Sequence, residues 1–469
     1  MQTFIKLAKT SAVYFAGAAL TKVIGLLMLP VYTGYVAVAD FGYFDASLAY
    51  IGVMVALLFL EGGVAALRFS AGDISQTRRE SVISVAFALC IISCVVYAVL
   101  YYIIYSYFKF NAGVEIFFCG LTGALYTLYG YITRAQGRNK LFALGGLFTA
   151  TLQAALNLYF LVYLKTGFFA LYWSSIISAA AGVLVFEFFT RAFTREFSPR
   201  KIDKTLLKEM LVFSLPIVLN AIAFWFCGAF NRVSIAAVLG PEANGLYAVA
   251  AKFGVIVTVA GGCFSLAWQE MSFNKSADNA PADFFSSAFA VYLKIVLCIY
   301  ILLVPAVNIA FPYFVAPAYG AALALAPLYM LWVMLDMITY FLGTIMAGQK
   351  NTKEIFITTL CGAALNVAIL YLLLRGLGAQ ASNIALCAAF ALTWLLREVF
   401  LRRSIGLKMN YAPLLPALPF ALVAVLYPLG RIYNYWFFAA AAVFAALFLR
   451  REITTVLQHL KNRIYQENP

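Results

Sequence analysis

Seven ionisable side chains stand inside long apolar stretches of this chain: Lys22, Arg232, Lys252 and Lys294 as bases, Asp45, Glu61 and Asp336 as acids. A charge at the centre of a membrane helix costs roughly 2.5–3.5 kcal/mol on insertion scales, so such a residue faces a wet cavity or a counter-charge. Ammonium and guanidinium groups make short, charge-assisted hydrogen bonds to phosphate and carboxylate oxygens. Lys22, Arg232 and Lys252 therefore suit an anionic ligand. Asp45, Glu61, Asp336, Lys294 and Arg68 suit gating or ion coupling.

These side chains must be positioned by membrane helices. Of the 469 residues, 64% are hydrophobic and 11% charged, against about 25% charged in soluble proteins. About fourteen apolar stretches are long enough to cross ~30 Å of hydrocarbon, and backbone amides in lipid must be satisfied within the segment, which makes each a helix. The stretches that carry the charges are 10–36, 43–67, 211–237, 245–270, 284–311 and 322–347. Lys22 lies about twelve residues into the first, near mid-membrane at ~1.5 Å per residue. Asp45, Arg232 and Lys252 lie nearer one end of theirs. Glu61 stands one or two turns from Arg68.

The net charge of +14 does not require nucleic acid. With the N-terminus inside, 25 of the 33 Lys and Arg, Arg397 among them, fall on the cytoplasmic side, and only Lys109, Lys165, Arg375 and Arg431 fall outside. That bias is the positive-inside signature, and it puts both termini in the cytoplasm. The first apolar stretch is too long for a cleaved leader and is expected to be retained.

A weak repeat organises the chain. Ala154-Ala155-Leu156-Asn157 recurs as Ala363-Ala364-Leu365-Asn366, Gln136-Gly137-Arg138-Asn139 as Gly348-Gln349-Lys350-Asn351, and Asp40-Phe41-Gly42-Tyr43-Phe44 as Ala243-Asn244-Gly245-Leu246-Tyr247. Six spans separate the copies, so they run in the same direction, related by an axis along the membrane normal. The expectation is an all-α polytopic protein: a lobe of six helices over 1–208, a second over 209–408, a cleft between them, and two appended helices with a tail over 409–469. The basic connection 191–210 divides the lobes.

Two readings stay open for several charges. Lys294 and Asp336 are a buried pair or part of a working site. Arg232 snorkels to the headgroups, or lines the cleft, where Asp45 pairs with Arg232 or Lys252 as a gate. Pro30 and Pro216 interrupt the first and seventh helices, and Tyr101, Tyr102, Tyr105 and Tyr107 suggest an interfacial belt. Enzyme signatures do not appear: there is no GxxxxGK[ST] or HExxH, no paired cysteines, and the one histidine, His459, lies in a polar tail.

The opening Ser11-x-x-Tyr14-x-x-Gly17, Lys22-x-Ile24-Gly25-Leu26-Leu27-x-Leu29-Pro30-x-Tyr32-Thr33-x-Tyr35, Asp40-Phe41-Gly42 and Asp45 resembles that of bacterial polysaccharide flippases. These are the Wzx-like polysaccharide transporters of the MOP superfamily, which also holds MATE exporters and lipid II flippases. Phe213-Ser214-Leu215-Pro216, Asn231-Arg232 and Gly245-x-Tyr247-x-x-Ala250-Ala251-Lys252-Phe253 match as well, and the likeness runs over nearly the whole chain. It implies two six-helix lobes, alternating access, and a cargo of oligosaccharide on undecaprenyl diphosphate moved from the inner to the outer leaflet, as for O-antigen. It implies no cofactor beyond coupling to H+ or Na+, and a monomer in the bacterial cytoplasmic membrane, among membrane lipids and beside a glycan polymerase or glycosyltransferase complex. Lys22, Arg232 and Lys252 fit the cationic cleft. The alternatives are a MATE-like drug exporter, a glycan polymerase or ligase, and a scaffold without transport.

Overall fold

The computed structural model describes residues 17, 19–70, 75–277, 282–408, 411–426, 431–450 and 454. They are overwhelmingly helical and contain no strand, as the hydropathy demands. Two compact units emerge, Met1–Ala248 and Val249–Pro469.

The first unit holds α1 (Ala19–Tyr35), α2 (Val38–Leu58), α3 (Gly62–Phe69), α4 (Gln76–Phe108), α5 (Gly113–Ala135), α6 (Asn139–Leu158), α7 (Phe169–Thr190), α8 (Lys204–Phe226), α9 (Ala229–Leu239) and the start of α10 (Pro241–Ala277). The second holds the rest of α10, then α11 (Ala282–Phe314), α12 (Ala322–Gly348), α13 (Thr352–Leu377), α14 (Gln380–Ile405), α15 (Leu418–Leu426) and α16 (Arg431–Phe448). Among the described residues ten helices are long and apolar enough to cross a membrane, and four further apolar helices are shorter. Part of the difference from fourteen lies in broken spans. The second is split between α2 and α3, and the seventh between α8 and α9 at Cys227–Gly228.

Proline explains one interruption and not the other. Pro30 has no amide to give, and the first helix restarts at Leu29 with Pro30 in its first turn. Pro216 sits inside α8, which continues ten residues beyond it to Phe226.

The first unit packs through Val82, Ile83 and Ala86 of α4, Leu128 and Ile132 of α5, Phe186 of α7, and Leu206 and Met210 of α8, all buried. Tyr101 belongs to a second cluster with Tyr97, Ile116 and Tyr172, and its hydroxyl donates to the Gly113 carbonyl at 2.5 Å. It is therefore not part of an interfacial belt: it lies on the α4 face that meets α5, while Tyr102 and Tyr107 are exposed. The connection after α7 is tied down. Glu187 accepts from the amides of Phe193 and Thr194, each at 3.0 Å, and Ser198 N donates to Ser84 Oγ of α4. Burial pushes the Glu196 carboxyl above its usual range, against the hydrogen bond from Gln136.

In the second unit Trp268 stacks on Phe341 with centroids 4.0 Å apart, and Phe289 and Tyr292 close around the same ring.

Candidate functional site

The beginnings of α2 and α10 cross in backbone contact. A Cβ on Gly42 would strike the Pro241 carbonyl and the Gly245 amide, and a Cβ on Gly245 would strike the Val38 carbonyl. Backbone cannot swing aside as a side chain can, so only glycine fits at either position. Gly42 and Gly245 are equivalents in the sequence repeat, as are Val38 and Pro241. The contact is thus self-complementary, the pattern of a two-fold interface. The repeat motif was legible before; that its two copies meet each other was not.

The crossing brings polar groups together. Arg232 of α9 forms an ion pair with Asp45 of α2 through Nη1 and Oδ1. Asn244 of α10 donates through Nδ2 to the Gly42 carbonyl at 2.8 Å and to Asp45 Oδ2 at 3.3 Å. The Asp45 side chain is 11% exposed and that of Arg232 28%. Trp225 Nε1 of α8 donates to the Ala49 carbonyl at 2.9 Å, fixing a second strut against α2. Nothing but its place in the repeat marked Asn244 as functional: a lone amide beside glycine carries no charge signal.

Lys22 is exposed on α1, and Lys252 is half-buried on α10. Arg68 is exposed in the last turn of α3. Glu61 sits at the break between α2 and α3 and lines a cavity. Lys294 and Asp336 are not joined by an ion pair among the described residues; the Lys294 ammonium lies 5.5 Å from the centre of the Phe448 ring.

Asp336 stands half-buried on α12. Arg397, counted by sequence among the basic residues of the cytoplasmic side, is a buried side chain of α14. Its Nη1 donates to the Thr339 carbonyl at 2.5 Å, Nη2 to Thr359 Oγ1 at 3.0 Å and Nε to Thr358 Oγ1 at 3.3 Å. Gly343 of α12 leaves room for the guanidinium, which a Cβ there would strike. Charge near a span end looks solvated until the neighbouring helices that bury it are in place.

The fold is that of MOP-superfamily transporters. The chain resembles an inward-facing multidrug-resistance MATE transporter with a TM-score of 0.66 at 16% identity, over 81% of this chain and 95% of that one. It resembles the lipid II flippase MurJ, in an inward closed conformation, with a TM-score of 0.71 at 12% identity, over 94% of this chain and all of that one. No curated sequence matches. Residues 7–268 match the polysaccharide biosynthesis protein family, and the chain belongs to that family. It is a multi-pass membrane protein of the polysaccharide biosynthesis family, and these structural neighbours are a MATE transporter and a lipid II flippase.

Proposed function

We propose that this protein flips oligosaccharides linked to undecaprenyl diphosphate from the inner to the outer leaflet of the bacterial cytoplasmic membrane, by alternating access and without catalysis. The observation that carries the reading is the Asp45–Arg232 ion pair beside the Gly42–Gly245 crossing. A half-buried guanidinium held by a carboxylate is an anion site with an anion already in it. A diphosphate offers the same charge-assisted geometry and can take the carboxylate's place. Asp45 then serves as the latch that closes the outer mouth while cargo enters from the cytoplasm. Lys22 and Lys252 add cations to the path.

The lobes of 1–208 and 209–408 exchange access, with both termini cytoplasmic and 409–469 as an appended pair. The partners are membrane lipids and a glycan polymerase or glycosyltransferase complex. A sugar-bearing diphosphate cannot cross ~30 Å of hydrocarbon unaided, and a wet cationic path removes most of that cost. Two negative charges moving outward gain about 4.6 kcal/mol per 100 mV in an inside-negative membrane.

The test is flipping of a fluorescent lipid-linked oligosaccharide in proteoliposomes. The expected result is flipping by the native chain and loss of it in Arg232→Gln and Lys22→Gln. Efflux of cationic dye without movement of the glycolipid overturns the reading in favour of a drug exporter.

A further inference from the structure

The last turn of α14 is closed, and the chain beyond it is held in place. Gly406 takes left-handed backbone, with φ of 70°. Its amide donates to the Arg402 carbonyl at 3.1 Å, and the Leu407 amide donates to the Leu401 carbonyl at 3.4 Å. This pair of bonds ends a helix on glycine and satisfies its last carbonyls. Leu407 is buried. The Lys408 amide donates to Ser286 Oγ of α11 at 3.1 Å, so the backbone that carries Lys408 is fixed between two helices.

An open pocket of about 350 Å³ lies against this turn, lined by Arg402, Gly406, Leu407 and Lys408. That is well above the ~10–15 Å³ that admits one water. Its charges are mostly positive. Arg402 is paired through Nη2 with Glu398, whose other oxygen accepts from the Tyr411 hydroxyl. A guanidinium has five N–H donors, which leaves Arg402 able to meet a second anion. Arg403 and Lys408 are exposed and have no ion-pair partner among the described residues. Asp283, in the first turn of α11, is exposed and likewise in no ion pair among them. The negative end of a helix dipole amounts to about half a charge, so these cations exceed what the end of α14 needs.

The helix face that leads to the pocket is apolar. Leu395, Val399, Arg402 and Gly406 follow one another at spacings of four, three and four residues, which is a single stripe of an α-helix. Leu395 is 58% exposed and Val399 46%, while Thr393, Arg397 and Leu401 on the opposite face are buried. The helix is long and apolar enough to cross a membrane. An exposed apolar stripe on such a helix meets acyl chains, and this one runs directly into a cationic pocket. Apolar track and basic end together match the two parts of an anionic lipid.

We propose that the end of α14 is a binding site for an anionic phospholipid, its phosphate lodged at Arg402 and Lys408 and its acyl chains laid along Leu395 and Val399. Both cations are placed beforehand, Arg402 by the Glu398–Tyr411 pair and Lys408 by its bond to α11. Free snorkelling side chains have no such fixed spacing, and placement in advance lowers the cost of binding. Phosphate oxygens accept charge-assisted bonds from both groups. Basic pockets at the cytoplasmic ends of membrane helices take anionic headgroups, and the positive-inside bias assigns this end to the cytoplasmic side. The lipid is a resident of the protein and not its cargo, so the site stands with or without transport.

The experiment uses the full chain in a non-ionic detergent and follows its thermal midpoint as lipid is added. A ligand bound only by the folded state raises that midpoint. Phosphatidylglycerol is expected to raise it more than phosphatidylcholine, which has the same chains and no net charge. Arg403→Gln with Lys408→Gln should shift the phosphatidylglycerol response to more than about tenfold higher concentration, since each cation near an anionic lipid is worth about a factor of five. Neither side chain is in an ion pair, so this double variant is expected to fold. Arg200→Gln with Lys204→Gln removes the same charge from exposed positions of the other unit and should keep the native response. Leu395→Ala with Val399→Ala should weaken the response while leaving the cations intact. Equal responses to the two lipids overturn the site. A response lost equally in both charge variants overturns it as well, because diffuse surface charge then explains the binding. A response to glycerol 3-phosphate as strong as that to phosphatidylglycerol shows a soluble-phosphate site and overturns the lipid.

Discussion

Two guanidinium groups are held inside the helices of this protein, and they are held in opposite ways. Arg232 is met by the carboxylate of Asp45, itself steadied by Asn244. Arg397 is met by two threonine hydroxyls and a main-chain carbonyl, in a space left by Gly343. A carboxylate partner can be exchanged for another anion with little net change in electrostatics, so the first arrangement is fit to open. Neutral acceptors fixed on two packed helices offer no such exchange, and the second arrangement is fit to stay. Charges that look alike in sequence thus divide into a latch and a rivet according to what surrounds them.

Removing the rivet should cost most. Arg397→Leu leaves three buried acceptors without their donor, and each buried polar group left unsatisfied typically costs about 1–3 kcal/mol. A large fall in the thermal midpoint of the purified protein is expected, with Arg397→Lys failing to restore it because one ammonium cannot span the three acceptors. Next comes the crossing. Gly42→Ala forces backbone against backbone, and overpacking of this kind costs roughly 1–3 kcal/mol; the same assay reads it, and Gly245→Ala should behave alike because the contact is self-complementary.

Arg232→Gln is the sharpest discriminator. Its stability cost is expected near 1 kcal/mol, since the pair is partly exposed, while flipping should fall more than about tenfold, the equivalent of 1.4 kcal/mol. If Arg232→Gln unfolds the protein as readily as Arg397→Leu, the distinction between latch and rivet collapses. The swap Asp45→Arg with Arg232→Asp should recover part of the lost stability; a double variant no more stable than the single ones argues against the latch. The smallest effect is expected at Lys294→Met, where a cation–π contact of about 0.5–1 kcal/mol is lost and flipping is retained.

The sequence repeat singled out the segments of Gly42 and Gly245 without showing that they meet, and the Asp45–Arg232 ion pair was already one of the readings for Arg232. The burial of Arg397 was not foreseen and Asn244 was passed over, and the break at Leu60–Glu61 left no trace in hydropathy. The reason is physical. Apolar length is counted along the chain and does not register two residues in left-handed backbone. The burial of a guanidinium depends on threonines 38, 39 and 58 residues away on two other helices.

The membrane class, the helical architecture and the family were determined by sequence alone, because transfer to hydrocarbon acts on each segment independently. Which charges meet, where two helices touch through bare backbone, and where a carboxylate faces a cavity were decided only by the tertiary structure. Those features depend on segments far apart in the chain arriving within a few ångströms of each other.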